Sequence, residues 1–229
     1  MKIWEQVKAH WLAIKNERLD PEPYWGYEDI GLFFLVLVLL GSVLRLFVRF
    51  HLLQRSELTN PSFGLQFAVV ALLSLGLYLV LKFRHRQPVL RPLGWICPRT
   101  APIVVALISG VLLASGVALY LRFRHQSTQR IAVMELLFLG LLLGPILEES
   151  LFRGCLLPLL AQTSGSGIAM ILTAILFALF HQPSDLAHWA SFMATGIAYG
   201  WIRVASRSTT AAAVMHATYN LVIFLSAAQ

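Results

Sequence analysis

Three ionisable side chains lie inside one long apolar stretch of the sequence. The stretch reads ELLFLGLLLGPILEESLFRGCLLPLL and contains Glu148, Glu149 and Arg153. An ionised side chain at the centre of a bilayer costs about 2.5–3.5 kcal/mol on insertion scales, so such groups need partners or a wet cavity. Glu149 and Arg153 are four residues apart on one helical face and are predicted to pair. Glu148 is rotated by about 100° from Glu149, which leaves its carboxylate available as a general base.

Two later apolar stretches each carry a histidine. His181 closes LFALFHQP one helical turn after Phe177, and His216 precedes Asn220 by four residues in MHATYN. No other apolar stretch offers an interior acidic residue, so packing these helices together predicts one central cavity that holds all of these polar groups. Each group alone also has a structural explanation, because a Glu–Arg pair can fix helix packing and an Asn commonly hydrogen-bonds a neighbouring helix.

The composition places these residues in a membrane. Of the 229 residues, 58% are hydrophobic and only 13% are charged, and the mean hydropathy is +0.71, values that exclude an ordinary soluble domain. The apolar runs are continuous and about 20 residues long, as helices that cross a bilayer require. We therefore predict an all-α, polytopic transmembrane helix bundle with a four-helix catalytic core. Its seven membrane segments are expected at 30–52, 63–83, 101–123, 132–160, 167–182, 185–204 and 208–226.

Residues 30–229 are predicted to form a single transmembrane domain, preceded by an N-terminal interfacial segment over residues 1–29. Within that segment, residues 1–22 fit either an amphipathic helix on the membrane surface or a solvated tail.

Alternation through seven segments puts eleven Lys and Arg on the side of residues 1–29 and six on the other side. The positive-inside rule then predicts a cytoplasmic N-terminus. The net charge of +7 is consistent with this topology. The sequence contains no stripe of basic residues interleaved with aromatic ones, so nothing indicates nucleic-acid binding.

At these polar residues the chain resembles the CPBP family, which contains the CAAX proteases and the bacteriocin-processing enzymes and is also called the Abi family. The family has three motifs, EExxxR, FxxxH and HxxxN, each on its own apolar helix. The first corresponds to residues 148–153, the second to residues 177–181 and the third to residues 216–220. All three occur in the family's order, and the resemblance covers about residues 130–225.

The resemblance implies an intramembrane endopeptidase that acts on a membrane-associated protein or peptide within the lipid bilayer. By the family's mechanism, Glu148 and His181 would activate a water that attacks a peptide carbonyl. His216 and Asn220 would stabilise the oxyanion, and the other two residues of the first motif would support the site or position the substrate. Donors aimed at a developing oxyanion are commonly worth about 3–4 kcal/mol.

Members of this family are often described as metalloproteases. Glu148, His181 and His216 would then hold zinc or another divalent metal, with one position open for water. However, HExxH is absent and these residues come from three separate helices. The branch that processes prenylated proteins is described as glutamate-dependent without a catalytic metal. We therefore expect no cofactor, with a metal site as the alternative.

Two other functions fit the same residues. A proton-coupled carrier also uses ionisable groups inside a bundle, but no internal repeat of the kind common in carriers is evident. A non-catalytic membrane adaptor of the same fold would be expected to have lost at least one motif residue, whereas every motif position is intact. A nucleophilic enzyme is disfavoured, because Ser150 lies on a different face from the glutamates and Cys155 has no histidine at helical spacing. The lack of an organelle signal predicts a multi-pass protein of a bacterial inner membrane.

Overall fold

The described part of the chain is helical throughout. A computed structural model describes residues 23–59, 61–124 and 132–227, and within these ranges it contains no strand. The all-α prediction is therefore confirmed, whereas the predicted surface helix in residues 1–22 lies outside the described residues. The helices are α1 (Tyr27–Arg49), α2 (Ser56–Thr59), α3 (Phe63–His85), α4 (Thr100–Phe123), α5 (Val133–Phe180), α6 (Leu186–Ser206) and α7 (Thr209–Ala227).

The long helix α5 is a hairpin with two arms. Gly165 has φ 77° and ψ 157°, a backbone conformation open to glycine but rarely to other residues. The rings of Phe152 and Phe177 lie 5.3 Å apart, although one straight helix would separate them by about 37 Å. The chain therefore folds back at Gly165 into a first arm (133–164) and a second arm (166–180). These arms correspond to two of the predicted membrane segments.

Within the described ranges, four helices are long and apolar enough to cross a membrane by length and composition. They are α1, α3, α4 and the α5 hairpin, and together they make the chain an integral membrane protein. Helices α6 and α7 are not among them, because they carry more of the polar side chains. Each of the two is packed against an apolar helix, α6 against α5 and α7 against α4. The seven predicted segments thus correspond to six long helices, one of which is folded in two.

The first arm of α5 changes its helical geometry twice. Residues Leu136–Leu143 and Ser150–Leu156 form π-helix, and Gly144–Glu149 between them forms α-helix. Such π-helical stretches are rare and occur frequently at functional sites. The two adjacent glutamates of the first motif therefore lie on a short α-helical piece between two wider turns.

Three chain segments meet at one end of the bundle. The connector between α3 and α4, residues 86–99, receives a hydrogen bond from the hydroxyl of Tyr24 at the carbonyl of Pro88, over 3.0 Å. The amide of Thr209, at the α6–α7 junction, donates to the carbonyl of Gly94 at 2.8 Å. The start of α1, the connector and the α6–α7 junction therefore share one side, as alternation through the seven segments predicts.

Candidate active site

The three motifs meet at one point between four helices. Oε2 of Glu148, on the first arm of α5, lies 3.6 Å from Nε2 of His181 and 3.9 Å from Nε2 of His216. Oε1 of Glu149 accepts a hydrogen bond from Nδ1 of His216 at 2.9 Å. As predicted, two carboxylates and two imidazoles from three separate helical segments lie together, and α6 packs on the fourth side.

Arg153 holds the buried side of this cluster. Its Nη1 donates to Oε1 of Glu149 at 3.2 Å, as the four-residue spacing predicts, and its Nη2 donates to the carbonyl of Gly196 at 2.9 Å. The guanidinium also lies over the ring of Phe177, 4.6 Å from its centroid. Both members of the Glu149–Arg153 pair have no exposed side-chain surface. They are therefore placed to orient other groups rather than to touch a substrate.

Exposure divides the site into an inner and an outer part. The side chains of Glu148 and His181 are 22% and 24% exposed, whereas that of His216 is 6% exposed. Glu148 and His181 are therefore the more accessible side chains of the cluster, and His216 lies deeper.

The hydrogen bonds of the two histidines fix which ring nitrogen carries a proton. Nδ1 of His181 lies 2.8 Å from the carbonyl oxygen of Phe177, which can only accept, so Nδ1 is the donor. Nδ1 of His216 likewise donates to the carboxylate of Glu149. In a neutral ring the remaining Nε2 then carries a lone pair. Both Nε2 atoms face Glu148.

Two aromatic rings of α6 set the planes of these imidazoles. Phe192 stacks on His181 with ring centroids 4.4 Å apart and planes at 27°. Tyr199 stacks on His216 with centroids 4.7 Å apart and planes at 19°. Sequence reasoning missed both residues, because α6 carries no motif and aromatic residues are common in membrane helices. Their seven-residue spacing puts them on one helical face, which was the available signal.

Several buried polar atoms of the site have no hydrogen-bond partner within the described part of the chain. They are Oε2 of Glu148, Oε2 of Glu149, Nε of Arg153 and the hydroxyl of Tyr199. Buried polar groups are hydrogen-bonded in the large majority of cases, so unpaired ones that cluster in one place need an explanation. A cavity that binds polar atoms of a substrate is such an explanation.

Asn220 lies one helical turn beyond His216 on α7. Its Nδ2 donates to the carbonyl of Gly140, in the first π-helical stretch of α5, at 2.8 Å. The structure therefore does not bring Asn220 into contact with the carboxylates, and one of its two amide hydrogens joins α7 to the first arm. The oxyanion role of Asn220 stays a prediction.

The second arm of α5 explains how His181 reaches the middle of the bundle. Residues 166–180 extend over only about 22 Å at 1.5 Å per residue, less than the hydrocarbon core of about 30 Å. His181 ends this arm in an αR conformation, and Gln182 then turns the chain with φ 46°. Irregular backbone at membrane depth is tolerated where it lines a cavity. The shortness of the segment was visible in the sequence.

A metal site was the alternative arrangement for Glu148, His181 and His216. Among the described residues, no group of three or more His, Cys, Asp or Glu is arranged to hold a metal ion. The expectation of a cofactor-free site stays a prediction, as does its metal alternative.

These contacts define a polytopic helical membrane protein that encloses a cluster of ionisable side chains between four helices. Residues 130–222 match the family model of the type II CAAX prenyl endopeptidase, Rce1-like. This part of the chain, about two fifths of its length, contains all three motifs, so the match confirms the CPBP resemblance over these residues. No curated protein and no solved structure matches the chain.

Proposed function

We propose that this protein is an intramembrane glutamic endopeptidase that hydrolyses a peptide bond of a membrane-associated protein or peptide. The observation that supports this most directly is the position of the Glu148 carboxylate, which faces Nε2 of both His181 and His216 at 3.6 and 3.9 Å. These separations exceed direct hydrogen bonds and suit a water held between the groups.

Glu148 and His181 are the pair that would activate this water. The carboxylate and the lone pair on Nε2 of His181 are both acceptors, so each takes one hydrogen of the same water. The lone pairs of the water oxygen then point away from both residues and toward a substrate carbonyl. As the new C–O bond forms, Glu148 takes the proton. Glu148 later gives that proton to the amine that leaves when the C–N bond breaks.

His216 is the group that would stabilise the oxyanion formed by this attack. When doubly protonated, it donates from Nδ1 to Glu149 and presents Nε2–H toward the cavity. The Glu149 carboxylate balances the charge of the ring, and Arg153 keeps that carboxylate in place over 3.2 Å. The second amide hydrogen of Asn220 would supply a further donor. Each oxyanion donor of this kind is commonly worth about 3–4 kcal/mol.

The substrate class follows from the location of the site and from the family. The cluster lies between helices that cross a membrane, so a substrate reaches it from the bilayer or from its surface. The family's description names prenylated CAAX proteins, and we propose a substrate of that general kind, with a lipid or apolar anchor. The excess of Lys and Arg on one side supports a cytoplasmic N-terminus.

Cleavage of membrane-tethered peptides tests the proposal. The purified full chain in lipid nanodiscs would be given a panel that includes farnesylated CAAX peptides, and products would be identified by mass spectrometry. We expect Glu148→Gln to lose cleavage, because an amide cannot take the proton of the water. The matched control is Glu28→Gln, whose side chain is 62% exposed and lies outside the site. Normal cleavage by Glu148→Gln, or no cleavage of any peptide by the wild type, would overturn the proposal.

A further inference from the structure

A second cavity lies behind the catalytic segment of α5. It measures about 310 Å³, is lined almost entirely by apolar surface, and lies between α3, the connector and the first arm of α5. Leu147 and Ser150 face it, whereas Glu148 is rotated by about 100° from Leu147 and faces the histidines. The cavity is therefore separate from the candidate active site and has no role in the proposed chemistry.

The cavity extends from Ser74, in the middle of α3, to Leu90 in the connector that follows this helix. Its deepest wall residue on α3 is Ser74, about 16 Å along the helix from His85. One leaflet of the hydrocarbon core is about 15 Å thick. Leu77 and Leu93 inside the cavity are 2% and 3% exposed, whereas Leu90, beside the connector, is 58% exposed. Ser74 therefore lies about one leaflet's depth from the end of α3, and the cavity extends from this buried region to the exposed connector.

The connector at this opening is basic. Arg86 and Arg91 are exposed, and Arg91 directly follows Leu90, which lines the cavity. Basic residues close to the membrane surface attract anionic lipid headgroups. Tyr78 also lines the cavity and is 40% exposed. An apolar cavity that extends to a basic connector matches a phospholipid in both shape and charge.

We propose that this cavity binds one anionic phospholipid, with an acyl chain between α3 and α5 and the phosphate on Arg86 and Arg91. The proposed lipid site is also connected to the candidate active site through a hydrogen bond. Nε1 of Trp95, in the cavity wall, donates to Oγ of Ser150 at 2.9 Å, and Ser150 directly follows Glu149. A bound chain fills the space behind the two glutamates and keeps this part of α5 in place. The inference does not depend on the proposed peptidase activity.

Native mass spectrometry of the full chain in detergent tests the site. The protein would be titrated with phosphatidylglycerol and with phosphatidylcholine that carry identical acyl chains. We expect one retained phosphatidylglycerol per protein, bound on the order of tenfold more tightly than phosphatidylcholine. Equal retention of the two lipids would overturn the proposal, because the arginines would then play no part.

Paired variants locate the bound lipid. Ser74→Phe fills the cavity and is expected to lose retention of phosphatidylglycerol, while Leu72→Phe, at a 51% exposed position of the same helix, keeps it. Replacing both Arg86 and Arg91 by Gln is expected to weaken binding on the order of tenfold. The control, Arg122→Gln, changes an exposed arginine near the far end of α4 and is expected to bind normally.

Two results of these variants contradict the proposal. If folded Ser74→Phe, with the melting temperature of the wild type, retained phosphatidylglycerol normally, the lipid would lie elsewhere. If a farnesylated peptide displaced the bound phosphatidylglycerol in direct competition, the cavity would belong to the lipid anchor of the substrate rather than to a phospholipid.

Discussion

Glu149 and His216 are joined by a hydrogen bond of 2.9 Å between Oε1 and Nδ1. The same oxygen accepts from Nη1 of Arg153 at 3.2 Å, so one buried carboxylate connects an imidazole to a guanidinium. Glu148, the next residue back, instead has a partly exposed side chain that faces Nε2 of both histidines. Two adjacent glutamates thus have different surroundings, and changes to each are expected to have different consequences.

The Glu149–Arg153 pair is expected to act mainly on stability. Arg153→Ala leaves a fully buried carboxylate without its cation, and breaking a buried pair in this way costs about 3–5 kcal/mol. We expect a clear fall in the melting temperature in detergent. The double variant with Glu149→Gln and Arg153→Met removes both charges and is expected to recover part of the loss. An unchanged melting temperature in Arg153→Ala would show that the pair contributes little.

His181 is expected to act on catalysis and not on folding. His181→Ala removes one of the two acceptors for the water, and loss of a general-base partner commonly lowers rates by about 10²–10⁴-fold. The melting temperature should stay near that of the wild type, because the ring is partly exposed. The control His51→Asn changes an exposed histidine with φ 58°, a conformation that asparagine tolerates. Near-normal turnover in folded His181→Ala would remove His181 from the mechanism.

Tyr199 is expected to position His216. Tyr199→Leu removes the ring stacked at 4.7 Å, and aromatic pairs are worth about 0.5–1.5 kcal/mol. We therefore expect kcat to fall by about 2- to 10-fold with little change in KM, and Tyr199→Phe to restore most of the loss. Trp201→Leu, at a 39% exposed position of the same helix, serves as the control. Equal effects of Tyr199→Leu and Tyr199→Phe would mean that the hydroxyl matters and the stacking does not.

Asn220 has two separable roles, and kinetics distinguish them. If its free amide hydrogen reaches the oxyanion, Asn220→Ala should lower kcat by about 10²–10³-fold. Loss of the bond to the carbonyl of Gly140 alone should cost only about 0.5–1.5 kcal/mol of stability. Ser226→Ala, which removes a local hydrogen bond on the same helix, is the control. A lower melting temperature with unchanged kcat would limit Asn220 to joining α7 and α5.

The sequence predicted what depends on local spacing and missed what depends on packing. The Glu149–Arg153 pair follows from a four-residue interval, and the segment boundaries follow from apolar runs, so both were predictable. The stacking of Tyr199 on His216 needs the position of α6 relative to α7, which no local pattern contains. The π-helical stretches on either side of residues 144–149 were not predicted either, because such stretches are rare and the apolar runs that contain them read as regular helix.

Metal dependence separates two kinds of chemistry at Glu148, His181 and His216. The carboxylate and Nε2 of His181 already provide two acceptors for a water, so we expect cleavage to continue after treatment with a strong chelator. Elemental analysis of the purified protein should then find metal well below one ion per chain. Stoichiometric zinc, together with cleavage that a chelator abolishes and added zinc restores, would contradict the prediction. In that case the three side chains would be metal ligands, and Glu148 would no longer be free to take the proton of the water.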